Sequence, residues 1–310
     1  MLLTNRCNLP EEVVNALTKN RYQSDDESQD AKTDYSISNL TAPTQQTILR
    51  KRYPEGNTED VIDRFFTLYG HLAHQLLEEH GSDESITEKR FYINIHGKTI
   101  SGQIDHYKAR KITDYKTVGA YKVQTGEFDD WEKQQNCYSH LCEENGLAVD
   151  SIRIIAFIRD WSKSDAARGR SSGYPEAPIK VIPLVKWKKE IRVGYIEQRV
   201  LALNEAEQLP DNKLPECSDK ERWIRFKNWG VVKDGAEKAA KVFCKEDEIG
   251  LAKADAARRG PSFKVVRRTS EPRRCLEYCN VSSVCHQFKQ YLQQNEKPDI
   301  KNPDNINWDF

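Results

Sequence analysis

Gly102-Gln103-Ile104-Asp105, followed after Lys108-Ala109-Arg110-Lys111 by Ile112-Thr113-Asp114-Tyr115-Lys116-Thr117, is the stretch on which the reading of this chain turns. Two apolar-flanked segments meet across a short basic turn, the pattern of a β-hairpin. Side chains alternate along a strand, so Asp114 and Lys116 share a face, and Asp105 on the neighbouring strand joins them when the pairing register aligns. Two carboxylates and one ammonium then stand together. Carboxylate oxygens suit hard cations such as Mg²⁺ and Mn²⁺, and a lysine beside them orients a water or balances an anion. Phosphodiester hydrolysis needs that combination.

The segments on either side predict an α/β domain. Glu88–Ile95 alternates as a half-buried strand, and His96-Gly97-Lys98 turns it back into Thr99–Tyr107. Thr58–Glu79 has helical periodicity, with Val61, Phe65, Leu68, Leu72 and Leu76 as its expected buried stripe. Residues 129–145 read as a second helix carrying Trp131, Gln134, Gln135, Tyr138 and Leu141. Ser151–Trp161 is almost continuously apolar, as expected of a central strand covered on both faces. Ile179–Val185 is a further strand, and Trp187–Gln208 a long helix with Ile191, Tyr195 or Ile196, Val200 and Leu201 inward. Beyond Leu209-Pro210 the character changes: helices are expected around Ala236–Phe243 and Ile249–Arg258, then a strand at Phe263–Val266. The implied organisation is an N-terminal extension with an acidic linker (1–34), a core (35–208), a cysteine-rich subdomain (209–295) and a flexible acidic tail (296–310).

Bulk properties narrow the function classes. Of 310 residues 48 are basic and 48 acidic, so no global positive field advertises a nucleic-acid partner, and local patches must supply one. Arg267, Arg268, Arg273 and Arg274 form one such candidate for a nucleic-acid backbone, with solvated charge as the plainer account. Hydrophobic residues make up 37% and the mean hydropathy is −0.79, a well-solvated globular composition with enough apolar residues for a core. No apolar run reaches membrane-spanning length, and Met1–Cys7 has no signal-peptide core, so a cytoplasmic location is expected, in a bacterial or phage-infected host cell. Eight cysteines in such a compartment are metal or cluster ligands, or core residues, before they are a disulfide framework.

Several motifs in order carry a family resemblance. Asp105 with Asp114-Tyr115-Lys116 resembles the active-site signature of the PD-(D/E)XK nucleases, and its surroundings resemble the RecB/lambda-exonuclease-like branch. Gly70-His71-Leu72-Ala73-His74 matches that branch's G-x-x-x-H helix, Glu88 its glutamate near the first strand, and Gln134-Gln135-Asn136-Cys137-Tyr138 its Q-x-x-x-Y helix. The resemblance covers about residues 36–161. It implies a restriction-endonuclease-like core, a mixed sheet flanked by helices, with a C-terminal cysteine-stapled subdomain. It also implies a metal-dependent DNA nuclease, of exonuclease type, in recombination, repair or phage DNA processing, with DNA and a helicase or recombination protein as partners. Asp105 and Asp114 would hold Mg²⁺ or Mn²⁺, the Tyr115 carbonyl and Glu88 or His74 would complete the shell, and Lys116 would position the attacking water. Gln134 and Tyr138 share a helix face and would orient the DNA strand or a metal ligand. The competing reading is a non-catalytic DNA-binding or scaffold module on the same fold; intact Asp105, Asp114 and Lys116 speak against it.

Cys275, Cys279 and Cys285 cluster three thiols near the chain end, a spacing that suits Zn²⁺ or an iron–sulfur cluster. AddB-type and CRISPR-adaptation nucleases bind a 4Fe-4S cluster with three C-terminal cysteines and one early cysteine. Here Ser38–Pro43 holds none; Cys217 is the preferred fourth ligand, Cys7 is an alternative, and His286 keeps zinc open.

Overall fold

Ile152, Ile154, Ala156 and Ile158 alternate along one strand and point into the main core, with Arg153, Ile155 and Phe157 half-buried on the other face. The strand is central, but only one of its faces is fully covered, contrary to the expectation from its apolar run. The computed structural model describes residues 2–18, 33–54, 58–79, 84–169 and 173–295. The acidic linker around Ser24–Asp30, the tail from 296 onward and the side chain of His74 lie outside the described residues. The chain divides into two compact units, Met1–Leu209 and Pro210–Phe310.

In the first unit the order is β1 (Leu2–Thr4), α1 (Glu11–Thr18), β2 (Tyr35–Ser36), α2 (Ile37–Thr41), α3 (Thr44–Arg52) and β3 (Thr58–Asp60). After a 3₁₀ turn at Val61–Arg64 come α4 (Phe65–Glu79), β4 (Ile86–Ile95), β5 (Lys98–Lys108), β6 (Lys111–Val118), α5 (Ala120–Thr125) and α6 (Asp129–Glu144). The unit closes with β7 (Ser151–Ile158), α7 (Lys163–Arg168), β8 (Ile179–Leu184) and α8 (Lys189–Glu207). The resulting α/β fold is a mixed six-stranded sheet flanked by helices. β4–β5, β5–β6 and β7–β8 are antiparallel, whereas β2–β5 and β6–β7 are parallel.

Local chemistry sets the element ends. Ser36 and Asn39 cap α2 reciprocally: the Ser36 N–H donates to Asn39 Oδ1 at 2.8 Å and the Asn39 N–H to Ser36 Oγ at 3.2 Å. Pro43 cannot continue that helix and instead opens α3. Arg199 on α8 then donates to the Leu40 and Ala42 carbonyls and to Thr44 Oγ1, satisfying groups that the break between α2 and α3 would orphan. The opening residues are built into this unit: β1 pairs in parallel with β3, and Asp60 Oδ2 accepts from Thr4 Oγ1 at 2.7 Å and from the Arg6 N–H at 2.9 Å. Thr58–Asp60 is consequently strand, not the first turn of the helix read from the sequence.

Two apolar stripes differ from expectation. On α4, Phe65 and Leu72 face solvent, while Val61 in the preceding turn is buried. On α8, Ile196, Val200, Leu203 and Ala206 point inward, and Ile191 and Leu201 outward. Periodicity identifies an apolar face of a helix but not what covers it.

The second unit contains β9 (Phe226–Lys233), β10 (Ala239–Phe243), α9 (Ile249–Arg259), β11 (Phe263–Thr269), a π turn at Arg274–Tyr278 and α10 (His286–Gln294). Its sheet has the order β10-β9-β11, antiparallel throughout, and Val231 packs with Ala252 and Ala256 of α9. The helix expected over Ala236–Phe243 is strand β10. Asp234-Gly235, with Gly235 at φ 77°, turns β9 back on itself, and cross-strand pairing overrides the helical propensity of the Ala- and Lys-rich segment.

Candidate active site

The sheet opens where the carboxylates sit. β4 runs along one edge of β5 for almost its full length, whereas the opposite edge pairs with β2 at Ile100 and Ser101 and with β6 only from His106 to Lys108. Between them Gly102–Asp105 has no ladder partner on that edge, and β6 continues from Asp114 to Val118 paired with β7 alone. A side chain fills the gap: Asp105 Oδ2 accepts the Tyr115 N–H at 2.8 Å. Gly102 is required here by close approach. A Cβ on it would lie 2.7 Å from Tyr138 Cε1, 2.8 Å from Ile37 Cγ1 and 3.0 Å from Leu141 Cδ2.

Asp114 is 3% exposed. Its Oδ1 accepts from Lys116 Nζ at 3.0 Å and from Gln135 Nε2 at 2.9 Å. Its Oδ2 lies 2.8 Å from the same ammonium but outside hydrogen-bond alignment, and makes no hydrogen bond. Gln135 Oε1 is likewise buried and makes none. Burial alone would push the Lys116 ammonium down, but the Asp114 and Asp105 carboxylates outweigh it, and the net direction is up. Both carboxylates therefore act on one lysine, the association expected from the hairpin. Burial, with Asp114 and Asp105 adding to it, also drives the Tyr138 phenol well above its usual range.

The remaining predicted residues separate. Gln134 hydrogen-bonds Tyr138 one helical turn away on α6. Gln135, and not Gln134, reaches Asp114. Every residue of α6 from Gln135 to Cys142 is buried and Gln134 lies just before that run, so helical spacing alone does not separate the two glutamines. Glu88 lies on β4 at the register position opposite Asp105, between the Thr87–His106 and Lys89–Ile104 pairs. It adopts a left-handed φ of 47°, and its Oε2 accepts from Gln103 Nε2 at 2.8 Å. Such backbone strain costs on the order of 1–3 kcal/mol and concentrates at functional sites. The Tyr115 ring faces away toward His106 and Phe157, with centroids 6.4 and 6.5 Å distant.

None of the chain's eight cysteines is in a disulfide, and five of them, Cys217, Cys244, Cys275, Cys279 and Cys285, belong to the second unit. Among the described residues no three His, Cys, Asp or Glu side chains form a ready-made metal cage. Four thiols nonetheless lie within electrostatic reach of one another. Burial pushes Cys217 up to about 12, with Glu221, Cys285, Cys275 and Cys279 adding to it. Burial likewise raises Cys275 to about 11, with Cys279 and Cys285 contributing. Cys285 is the N-cap residue of α10; burial raises its thiol, and the backbone N–H groups at the start of the helix oppose that rise. The neighbouring arginines are engaged: Arg267 bonds Asp219 and Glu246, Arg268 the Glu237 carbonyl, Arg273 Glu277, and Arg274 the Glu221 carbonyl. The expected basic patch is thus largely absorbed in internal pairs.

No family model matches the chain, and no curated protein matches it in sequence. Among solved structures it is similar to SSO0001 (15% identity, TM-score 0.41, 62% of this chain and 84% of that one). It is also similar to a protein named "Putative exonuclease" from Eubacterium rectale (13% identity, TM-score 0.37, 64% of this chain and 90% of that one). Among the described residues no helix is long and apolar enough to cross a membrane.

Proposed function

We propose that the first unit is a metal-dependent deoxyribonuclease, an exonuclease of recombination, repair or phage DNA processing. One observation carries the reading: Asp105, Asp114 and Lys116 meet where β5 and β6 cease to pair, so reactive side chains replace backbone at an opening in the sheet. Mg²⁺ or Mn²⁺ would be held by Asp114 and Asp105, with the Tyr115 carbonyl and Glu88 or His74 as further donors. The carboxylate oxygens suit a hard cation, which would take the place of the Lys116 ammonium now 2.8 Å from Asp114 Oδ2, an oxygen that accepts no hydrogen bond. When bound, such an ion lowers the pKa of a coordinated water and offsets charge on the phosphate.

The protein's own groups have distinct tasks. Lys116, held above its ordinary range, stays protonated at neutral pH and supplies charge and N–H donors to a phosphate oxygen instead of accepting a proton. Gln135 fixes the Asp114 carboxylate through Oδ1 and leaves Oδ2 to other partners. Tyr138 stays a phenol and a hydrogen-bond donor. In the second unit the four thiols would bind a 4Fe-4S cluster or Zn²⁺, whose charge would stabilise thiolates that burial first, and then Glu221 and the neighbouring sulfurs, disfavour.

End-labelled single- and double-stranded DNA, incubated with Mg²⁺ or Mn²⁺ and with chelator, tests the reading. Cleavage should require metal and fall by about 100-fold or more in folded Asp114→Ala and Lys116→Ala proteins. Full activity in both variants overturns the site.

A further inference from the structure

Helix α4 carries a stripe of half-exposed apolar side chains. Phe65, Phe66, Tyr69 and Leu72 are 50%, 51%, 45% and 50% exposed. Positions 65, 69 and 72 share one helix face and 66 borders it, so three rings and a leucine form one strip. Contiguous exposed apolar strips on soluble proteins mark binding surfaces. The strip is made mainly of rings, and a cation already lies on it: the Arg159 guanidinium sits 4.0 Å from the Phe66 centroid, itself exposed. The Phe65 and Phe66 rings meet edge-to-face at 5.3 Å.

Its position ties it to the candidate active site. The Arg159 N–H donates to the Val118 carbonyl at 3.0 Å, two residues beyond Lys116 on β6. Gly70 on α4 comes so near the same strand that a Cβ there would lie 3.5 Å from Thr117 Oγ1. The rings therefore lie on the helix that packs beside the end of the strand carrying Asp114 and Lys116.

We infer that Phe65, Phe66 and Tyr69 form a stacking platform for unpaired bases, with Arg159 meeting the adjoining phosphate, so that the strand presented to Asp114 and Lys116 is single-stranded. The substrate class named here rests on the nuclease reading above; the platform itself does not. A duplex buries its base faces and turns its phosphates outward, so a strip of rings has nothing to stack on except at an end. An unpaired strand exposes a π face at every base, and aromatic platforms with an arginine hold such strands without regard to sequence. Arg159 gives the strip the charge complement to a phosphodiester that an aliphatic docking face would lack.

Fluorescence anisotropy in chelator, with labelled oligo(dT) and a duplex of equal length, tests the inference in the absence of cleavage. Phe66→Ala and Tyr69→Ala should each weaken oligo(dT) binding about 5- to 150-fold, with duplex binding unchanged and Tyr69→Phe close to wild type. Oligo(dT) substituted with 5-iodouracil should photo-crosslink to α4 of the wild-type protein. Unchanged oligo(dT) affinity in both alanine variants, equal losses for the duplex, crosslinks confined to other elements, or dissociation of a homo-oligomer in the variants would each overturn it. If the wild-type protein cleaves no DNA, the nuclease reading falls while the binding result stands on its own.

Discussion

Replacing Gly102 by alanine puts a methyl group into a space that does not exist. The added carbon meets Tyr138, Ile37 and Leu141 at 2.7, 2.8 and 3.0 Å, and all three side chains are buried in the core. None is a flexible surface arm that can swing away. Overpacking of this kind costs about 1–3 kcal/mol, and the gain from a less flexible unfolded chain returns at most about 0.4–1 of it. For a unit of this size each kcal/mol is about 2–4 °C in Tm, so the net loss of up to about 2.6 kcal/mol should lower the melting temperature of Gly102→Ala by up to about 10 °C. Gly194 supplies the opposite case. It lies exposed in the interior of α8, and a Cβ there meets nothing within 4 Å. Gly194→Ala should gain about 1 kcal/mol from helix propensity and melt about 2–4 °C higher. Thermal unfolding followed by far-UV circular dichroism reads both. A Gly102→Ala protein as stable as wild type, or a Gly194→Ala protein less stable, refutes the reasoning.

Lys116 gives a pH signature. Its folded pKa lies above the unfolded value, so the stability it contributes is complete below about pH 10.4 and is lost as pH rises through the folded value. Urea midpoints of wild type and Lys116→Met should differ by a constant amount through neutral pH and converge in strong alkali; a gap that widens there contradicts the assignment. Gln135→Leu removes the donor to Asp114 Oδ1 and should lower metal-dependent cleavage about 10- to 100-fold, with Gln134→Leu milder; equal effects would deny Gln135 its special position. Anaerobically purified protein should contain iron, with a visible absorption band, or zinc. Cys279→Ser should lose that metal and lower the melting of the second unit, and wild-type protein free of both metals would dismiss the cysteine site.

The strands around the hairpin were legible because turn chemistry and alternation are local signals. His96-Gly97 places two left-handed residues at one turn, and Ala109-Arg110 does the same at the next. The face of α4 was not legible. Its apolar period is real, but whether Phe65 and Leu72 meet a core depends on which elements fold over them. β10 failed for a related reason: its residues favour helix, and only the partner strand β9 makes them extended. At the candidate site the trio of Asp105, Asp114 and Lys116 follows from alternation, whereas the role of Gln135 beside Asp114 does not follow from periodicity, because α6 is buried on every side from Gln135 to Cys142. Nothing local announced that Glu88 would take a left-handed conformation or that Asp105 would bond the Tyr115 N–H; both depend on how β4, β5 and β6 come together.

That bond to Tyr115 gives Asp105 two separable duties, and they leave different marks on drift. As an acceptor it replaces a missing rung of the sheet, a task for which any side chain of the same shape with a carbonyl-type oxygen suffices. As a charge it acts on Lys116 and serves the chemistry. A descendant that abandoned hydrolysis would be free to lose Lys116 only together with Asp114, the buried carboxylate it pairs, yet it would still be held to Asp or Asn at 105 to keep β6 in place. Decay of this protein would therefore be uneven: the Asp114–Lys116 pair would go as a unit, and the oxygen at 105 would persist as a fossil of the fold.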